Sequence, residues 1–327
     1  MIPDGSLLVA LLQVVSRIPP PPPPRRRSRG RPPVYSDRLF LQGLVIMVLR
    51  RLESVHLLLA VLAADTDEMR RVRALLAVDG RLPHRRTWER RLARVPDTLP
   101  AQIGCLGRAL VDLTGAWATH GRAVALDSTL LRAPGGVWHV KQRLAGWALI
   151  VTFDADAAWG KSGWHGWVYG WKLHLASVAG PAFIPLAADL TTANVHDVTV
   201  APNLLDELPL TTRYVLGDTH YQMADLHDHC ELHARTLIAT HWTPTPATDP
   251  GKGVRAVFHA LRHVAAENLN ELVKDSFGLH GTVPTTGWLA TRRYVLGCIF
   301  AYQIALWYRA EHRLPLNAGM KAMLRAA

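Results

Sequence analysis

At Arg122 the apolar residues of this chain change their spacing. From Ser36 to about His120 they recur at three- and four-residue intervals, with breaks expected at Asp79-Gly80, Pro83, Pro96 and Pro100, which predicts a set of packed helices. Beyond it, Ala123 to Leu131, Trp167 to Ala179, Phe183 to Asp189, Arg213 to Gly217 and Thr236 to Thr240 are short runs rich in Val, Leu, Ile and aromatic residues, which read as strands. Between them Val198 to Leu208 and Met223 to Leu232 read as helices, the first with Asn194 and Asp197 as candidate caps. A long helix is expected from about Val254 to Phe277. Three strands, a helix, a strand, a helix, a strand and a closing helix suit an α/β fold: a mixed sheet with helices on its faces, preceded by a small all-helical domain.

The chain can fill such cores, since 49% of its 327 residues are hydrophobic and 19% charged. Leu39 to Leu49 and Tyr294 to Tyr308 are the most continuous apolar stretches. Both fall short of the roughly 20 residues of a membrane span, so they read as buried helices and no membrane partner is expected. An apolar run from Ser6 to Val15 has its basic residues after it and no small-residue cleavage site, which argues against a secretory signal. Cys105, Cys230 and Cys298 are odd in number and far apart. Neither a disulfide framework nor a paired zinc-knuckle spacing is available, and a reducing cytoplasm is expected.

The 37 Lys and Arg against 26 Asp and Glu leave a formal charge of +11, which favours a polyanionic partner. The excess is uneven. Residues 1–36 end in Pro19 to Pro24 followed by five arginines among Arg25 to Arg31, and read as a disordered, extended arm. Within it Arg29-Gly30-Arg31-Pro32 resembles the core of an AT-hook, which lies in the minor groove; a solvated basic tail is the preferred alternative. In the helical domain, residues 37–120, the turn at Pro83 precedes a helix carrying Arg85, Arg86 and Arg90 in its first turns. That suits a DNA recognition helix or, equally, an amphipathic helix with a solvated basic face. Residues 121–280 then form the sheet domain, and 281–327 a C-terminal helical segment packed upon it.

Two carboxylates stand out against their apolar neighbours. Asp127 follows Ala123-Val124-Ala125-Leu126, and Asp218 follows Tyr214-Val215-Leu216-Gly217. Asp127 stands near the end of a strand and Asp218 at the carboxyl end of another, the edge of an open sheet where ligands bind, and a buried carboxylate there is costly unless paired or bound to metal. The late helix adds Glu267, Glu271 and Lys274 on one stripe, with His263 a turn before. Singly, each acid has an ordinary explanation as a turn cap, a helix start or a solvated face. Together they form a cluster whose repulsion a divalent cation would relieve, and two such ions about 3.5–4 Å apart suit in-line phosphoryl displacement.

The motifs Ala125-Leu126-Asp127-Ser128-Thr129, Gly170-Trp171-Lys172-Leu173-His174-Leu175, Thr192-Ala193-Asn194-Val195-His196-Asp197 and Leu216-Gly217-Asp218-Thr219-His220-Tyr221 occur in that order. In order and context they resemble the DDE transposases of bacterial insertion sequences, over roughly residues 36–325. The resemblance implies a ribonuclease H-like core and Asp127, Asp218 and Glu267 as catalytic metal ligands. It favours Glu267 over Glu271, because in that family a lysine follows the glutamate by seven residues before Phe-Gly-Leu, as Lys274, Phe277, Gly278 and Leu279 do here. It further implies two Mg2+ ions, with Mn2+ as substitute, and phosphate contacts from Lys274. Lys172, Arg262 and His263 join the expected DNA-binding set with Arg29, Arg31, Arg85, Arg86 and Arg90. The family often has an arginine four residues before the glutamate; this chain has His263 there, with Arg262 beside it.

The expected function is therefore cleavage of insertion-sequence ends and joining of the 3′-hydroxyl to target DNA, by a homodimer on double-stranded DNA in the cytoplasm, associated with the nucleoid. The alternatives are an inactive DNA-binding remnant of such an enzyme, or a metallophosphoesterase, suggested by Gly217-Asp218-Thr219-His220 although a later Gly-Asn-His is absent. Trp138, Trp147, Trp159, Trp164, Trp167 and Trp171 crowd the stretch between the aspartates; packing is preferred to base stacking. His220, His227, His229, Cys230 and His233 are zinc-ligand types. The helix from Met223 is expected to scatter His227, His229 and His233 over different faces, which argues against zinc.

Overall fold

Ala123, Val124, Ala125 and Leu126 are completely buried, and they open β1 (Ala123–Arg132), the strand about which the sheet is organised. In the computed structural model, residues 6–21, 34–118, 122–135, 153–163, 166–180, 182–239 and 252–327 are described. β3 (Gly166–Val178) lies antiparallel to β1, with Asp127 opposite Leu175. Both β4 (Pro185–Thr192) and β2 (Ala158–Ser162) pair antiparallel with β3. On the other flank β5 (Tyr214–Gly217) runs parallel to β1, with Ala125 opposite Leu216, and β6 (Thr236–Ala239) runs parallel to β5. The order β4-β3-β1-β5-β6, antiparallel on one flank and parallel on the other, is ribonuclease H-like. The sequence reading missed β2, in which Gly160 and Lys161 interrupt the apolar pattern.

The parallel pairs need crossovers. One is α7 (Asp197–Asp206), between β4 and β5, and the other α8 (Ala224–Leu232), between β5 and β6. Contrary to expectation, neither Asn194 nor Asp197 caps α7. His196 is the N-cap and makes no side-chain cap bond, Asn194 accepts a hydrogen bond from the Thr192 hydroxyl, and Asp197 lies inside the first turn.

The helices before the sheet are α2 (Asp37–Leu49), α3 (Val55–Ala63), α4 (Asp67–Leu76), α5 (Arg85–Leu92) and α6 (Val95–Thr114). The breaks expected at Pro96 and Pro100 do not occur, because α6 runs through both. Pro96 falls in the first turn, where no backbone donor is needed, and Pro100 removes a single bond early in a 20-residue helix.

A second correction concerns residues 1–36. Their first half is not an extended arm: α1 (Leu7–Arg17) is a helix with Leu8, Leu11, Leu12, Val14 and Val15 fully buried. Proline and arginine composition dominated the reading of that segment and hid the helical spacing of its leucines. The Ser6 hydroxyl oxygen caps α1 by accepting from the Val9 amide, and the Arg38 guanidinium donates to the Ser16 and Ile18 carbonyls at the other end. Residues 22–33, with Arg29 and Arg31, lie outside the described residues.

The C-terminal α11 (Trp288–Glu311) is apolar on every face from Tyr294 to Leu306 except at Gln303 and is correspondingly buried; α12 (Met320–Ala326) follows it. α11 packs on α1, α2, α6 and β4. Deep in that contact the Gln303 amide donates to the Ile103 and Pro185 carbonyls, at 2.9 Å each, tying α6 to the sheet edge. One apolar cluster extends from α1 through these helices into the sheet. Among the described residues no helix is long and apolar enough to cross a membrane.

Candidate active site

Asp127 is not at the end of its strand as expected, since β1 continues to Arg132, but the pairing of β1 with β5 stops at Ala125 and Leu216, and Asp127 and Asp218, each two residues further on, come to the same edge of that pair. Gly217 makes the turn after β5 possible, because a Cβ there would press 2.7 Å from the Cβ of Tyr221, which is buried beneath the site. Asp218 also performs the ordinary task of capping a single 3-10 turn: its carboxylate accepts from the His220 amide at 2.8 Å.

The late helix reaches this edge in three pieces: α9 (Lys252–Arg262), a π-helical turn (His263–Glu267) and α10 (Asn268–Phe277), which ends on Gly278 at φ +69°. The continuous helix expected from Val254 to Phe277 is thus interrupted at the functional position. In a π turn, residues five apart come into register rather than four. Arg262, five before Glu267, donates to its Oε1 at 3.2 Å, and His263 Nδ1 lies 2.8 Å from its Oε2. The arginine that stands one place early in the sequence is restored to the glutamate by the turn.

Arg262 also approaches Asp127, Nη1 to Oδ1 at 4.0 Å, so its guanidinium stands between the two carboxylates. The second Asp127 oxygen accepts from Asn270 Nδ2 at 2.8 Å. Asn270, buried on α10 one turn beyond Glu267, was not anticipated; its position on the stripe of acids was the available signal.

The Asp127 side chain is only 18% exposed. Burial pushes its carboxyl up to about 7, the charges of Asp218 and Glu267 push the same way, and Arg262 with the Ser128 amide opposes them. All three acids therefore share one electrostatic environment, although their oxygens do not all come within 4.8 Å of one another. Three oxygen donors, with the Asp127 carboxyl raised chiefly by burial and further by the other two acids, suit a hard divalent cation.

Around this centre Asp197 Oδ1 gathers Lys172 Nζ at 3.2 Å and His174 Nδ1 at 3.4 Å, while Lys172 donates to the Val195 carbonyl at 2.7 Å. Burial pulls the His174 imidazole down to about 4. Asp197, Asp127 and Asp218 all act on Tyr221, whose phenol burial pushes well up. Lys274 pairs with Glu271 at 3.7 Å, and Glu271 also lies 3.7 Å from His280, so this glutamate is engaged away from Asp127. Arg85, Arg86 and Arg90 are exposed on α5, the first bonded to Glu89 at 2.7 Å.

Trp138, Trp147 and Trp164 lie outside the described residues. Trp171 is fully buried against Trp288, Trp159 packs edge-on against Tyr169, and Trp167 is half-exposed. The expected scatter of the α8 histidines is also corrected: His229 and His233, one turn apart, share a face and meet Asp206.

No curated protein matches the chain in sequence. Among solved structures, a piggyBac transposase synaptic complex with hairpin DNA is similar at TM-score 0.40 and 11% identity, covering 98% of this chain and 78% of that one. A Mos1 transposase paired-end complex with left transposon end is similar at TM-score 0.23 and 14% identity, with 91% and 81% covered. Both likenesses are remote. The transposase DDE domain family matches residues 118–304, more than half of the chain and including β1, β5 and the late helix. The chain belongs to the DDE transposases.

Proposed function

We propose that this transposase cuts the ends of its own insertion sequence and joins the exposed 3′-hydroxyl to target DNA, with Asp127, Asp218 and Glu267 holding divalent ions, magnesium by preference. The observation that carries the reading is the convergence of these three acids at one sheet edge, where two of them raise the proton affinity of the third. Bound there, such ions supply Lewis acidity for the attacking and leaving oxygens of a phosphodiester. Both chemical steps are in-line exchanges of one oxygen for another at phosphorus, so no covalent enzyme intermediate is needed.

The chain's own residues set the geometry. Asn270 fixes one oxygen of Asp127, and Arg262 with His263 fixes both oxygens of Glu267. Lys172, Arg262, His263 and Lys274 offer positive charge to the DNA backbone, Lys274 by exchanging its long contact with Glu271 for a phosphate. The exposed arginines of α5 offer a basic surface, and the sequence adds five more arginines among Arg25 to Arg31, in keeping with the net charge of +11. Two copies of the chain on paired DNA ends complete the proposal.

The test uses duplexes from the DNA flanking the gene, with magnesium. Asp127→Asn, Asp218→Asn and Glu267→Gln should abolish cleavage with DNA binding nearly intact, and Glu271→Gln should be mild. Cleavage at the wild-type rate by either aspartate variant sinks the assignment. A dead Glu271→Gln beside an active Glu267→Gln moves the third acid one turn along.

A further inference from the structure

Outside the acidic edge, one cluster brings metal-ligating side chains together. Asp206 is the last residue of α7; His229 lies in the last turn of α8 and His233 is its C-cap. Both imidazoles turn Nε2 toward the same oxygen, Asp206 Oδ1, at 3.0 Å for His229 and 3.5 Å for His233, and their rings are 5.1 Å apart. One ligand atom from each of the three fits within 4.8 Å of the other two, the one such group of His, Cys, Asp and Glu among the described residues.

Electrostatics at this place independently favours a cation. The negative ends of two helix dipoles meet there, since all three residues belong to the C-terminal ends of α7 and α8. Asp206 adds a full negative charge to a helix end that disfavours one, and Glu207 follows it. Arg235, the buried cation nearby, directs its guanidinium to the carbonyls of Leu205, Leu208 and Pro209, at 2.6, 3.3 and 3.5 Å. It satisfies the end of α7 through these carbonyls and feels the Asp206 charge, while the hydrogen-bonding partners of that carboxylate are the histidines.

We infer that Asp206, His229 and His233 form a second metal site, for a borderline-soft divalent ion of the zinc class, distinct from the catalytic edge. Two imidazoles and a carboxylate suit zinc far better than magnesium, which takes oxygen ligands. Tetrahedral bonds of about 2.0–2.2 Å place ligand atoms roughly 3.3–3.6 Å apart, near the 3.0 and 3.5 Å of the two histidine–aspartate pairs. Side-chain exposures of 54% for Asp206, 22% for His229 and 37% for His233 leave the site open to solvent, with water as the fourth ligand. The ion would staple the two crossover helices that flank β5, the strand leading to Asp218.

The test takes the full-length chain without a histidine tag, stripped with chelator and titrated with Co2+ and then Zn2+. One Co2+ per chain with the visible absorption of a tetrahedral site is expected, displaced by Zn2+ and insensitive to millimolar Mg2+. His233→Gln, or Asp206→Asn if that variant unfolds, should weaken binding by more than the roughly 10–100-fold that an outer-shell partner is worth. Zinc should raise the melting temperature of the wild type and leave that of His233→Gln unchanged. The Asp127→Asn/Asp218→Asn double variant should retain the full cobalt spectrum. Unchanged affinity in both His233→Gln and Asp206→Asn, octahedral absorption, or a spectrum lost with the two catalytic aspartates would overturn the inference.

Discussion

Asn270 is a neutral residue placed to govern an acid. Its amide donates to the Asp127 oxygen that Arg262 does not approach, so both oxygens of that carboxylate have a direction imposed on them. Asn270→Leu should leave the fold intact and slow cleavage by about 10–100-fold, the range for partners that orient a ligand. DNA affinity should not change, and single-turnover cleavage beside equilibrium binding separates the two; a rate within twofold of wild type would deny Asn270 its positioning role. His174 gives a second consequence at this scale. Buried beside Asp197 and bonded to Thr191 at 2.9 Å, it titrates near 4 instead of the usual 6.5. A lowered histidine pKa stabilises the fold above about 6.5, and that contribution disappears as pH falls through about 4. The melting temperature should therefore drop between those pH values, and less steeply in His174→Gln; parallel curves would refute this. Asp127 and Asp218 were legible in the sequence because a lone carboxylate directly after four apolar strand residues is conspicuous, although β1 runs on past Asp127 to Arg132. Asn270 was not, since an amide on a helix stripe looks like any solvated residue until its partner is known.

Strands and crossover helices were readable because their periodicity survives in the sequence, whereas the π turn was not. A 3.6-residue repeat and one with a single extra residue differ by one position, and the apolar residues from Phe258 to Leu272 fit both. The difference decides which cation serves Glu267. With the turn in place, Arg262 joins Glu267 to Asp127 from a buried position, and His263 meets Glu267 from a more exposed one. Arg262→Ala should thus cost most of the cleavage activity and His263→Ala little. An uninterrupted α-helix predicts the reverse order, so the two single-variant rates test the turn itself. A neighbouring element shows the same dependence on close approach. α5 is anchored through Trp88, and a Cβ on Gly43 of α2 would collide with that indole. Gly43→Ala should destabilise the chain by about 1–3 kcal/mol, as overpacking does, measured by denaturant unfolding with unchanged m-value.

At the scale of the whole molecule, the C-terminal helices pack on the sheet as expected, and the helices before the sheet share the same core, which the division into successive segments did not foresee. Periodicity reports which face of a helix is apolar but not which distant element covers it. The placement of α1 against α2, α4 and α11 is a long-range outcome of that kind. It separates two parts of residues 1–36 that composition had merged. Removing residues 1–18 takes Leu8, Leu11, Leu12, Val14, Val15 and Ile18 out of the core. At about 1.5–3 kcal/mol for each buried aliphatic side chain, the loss is roughly 9–18 kcal/mol as an upper bound, which matches or exceeds the total stability usual for a domain, about 5–15 kcal/mol. That truncation should yield an unfolded or aggregated chain. Replacing Arg25, Arg26, Arg27, Arg29 and Arg31 by serine removes five positive charges and none of those buried α1 side chains, and should leave the melting temperature within a degree or two. If those arginines reach DNA phosphates, the slope of log affinity against log salt should flatten by up to about 0.9 for each phosphate that is no longer neutralised. Circular dichroism melts and binding titrations at several salt concentrations, run on both variants, decide the matter. A folded truncation lacking residues 1–18 would remove α1 from the core, and an unchanged slope in the serine variant would make the arginines idle on DNA.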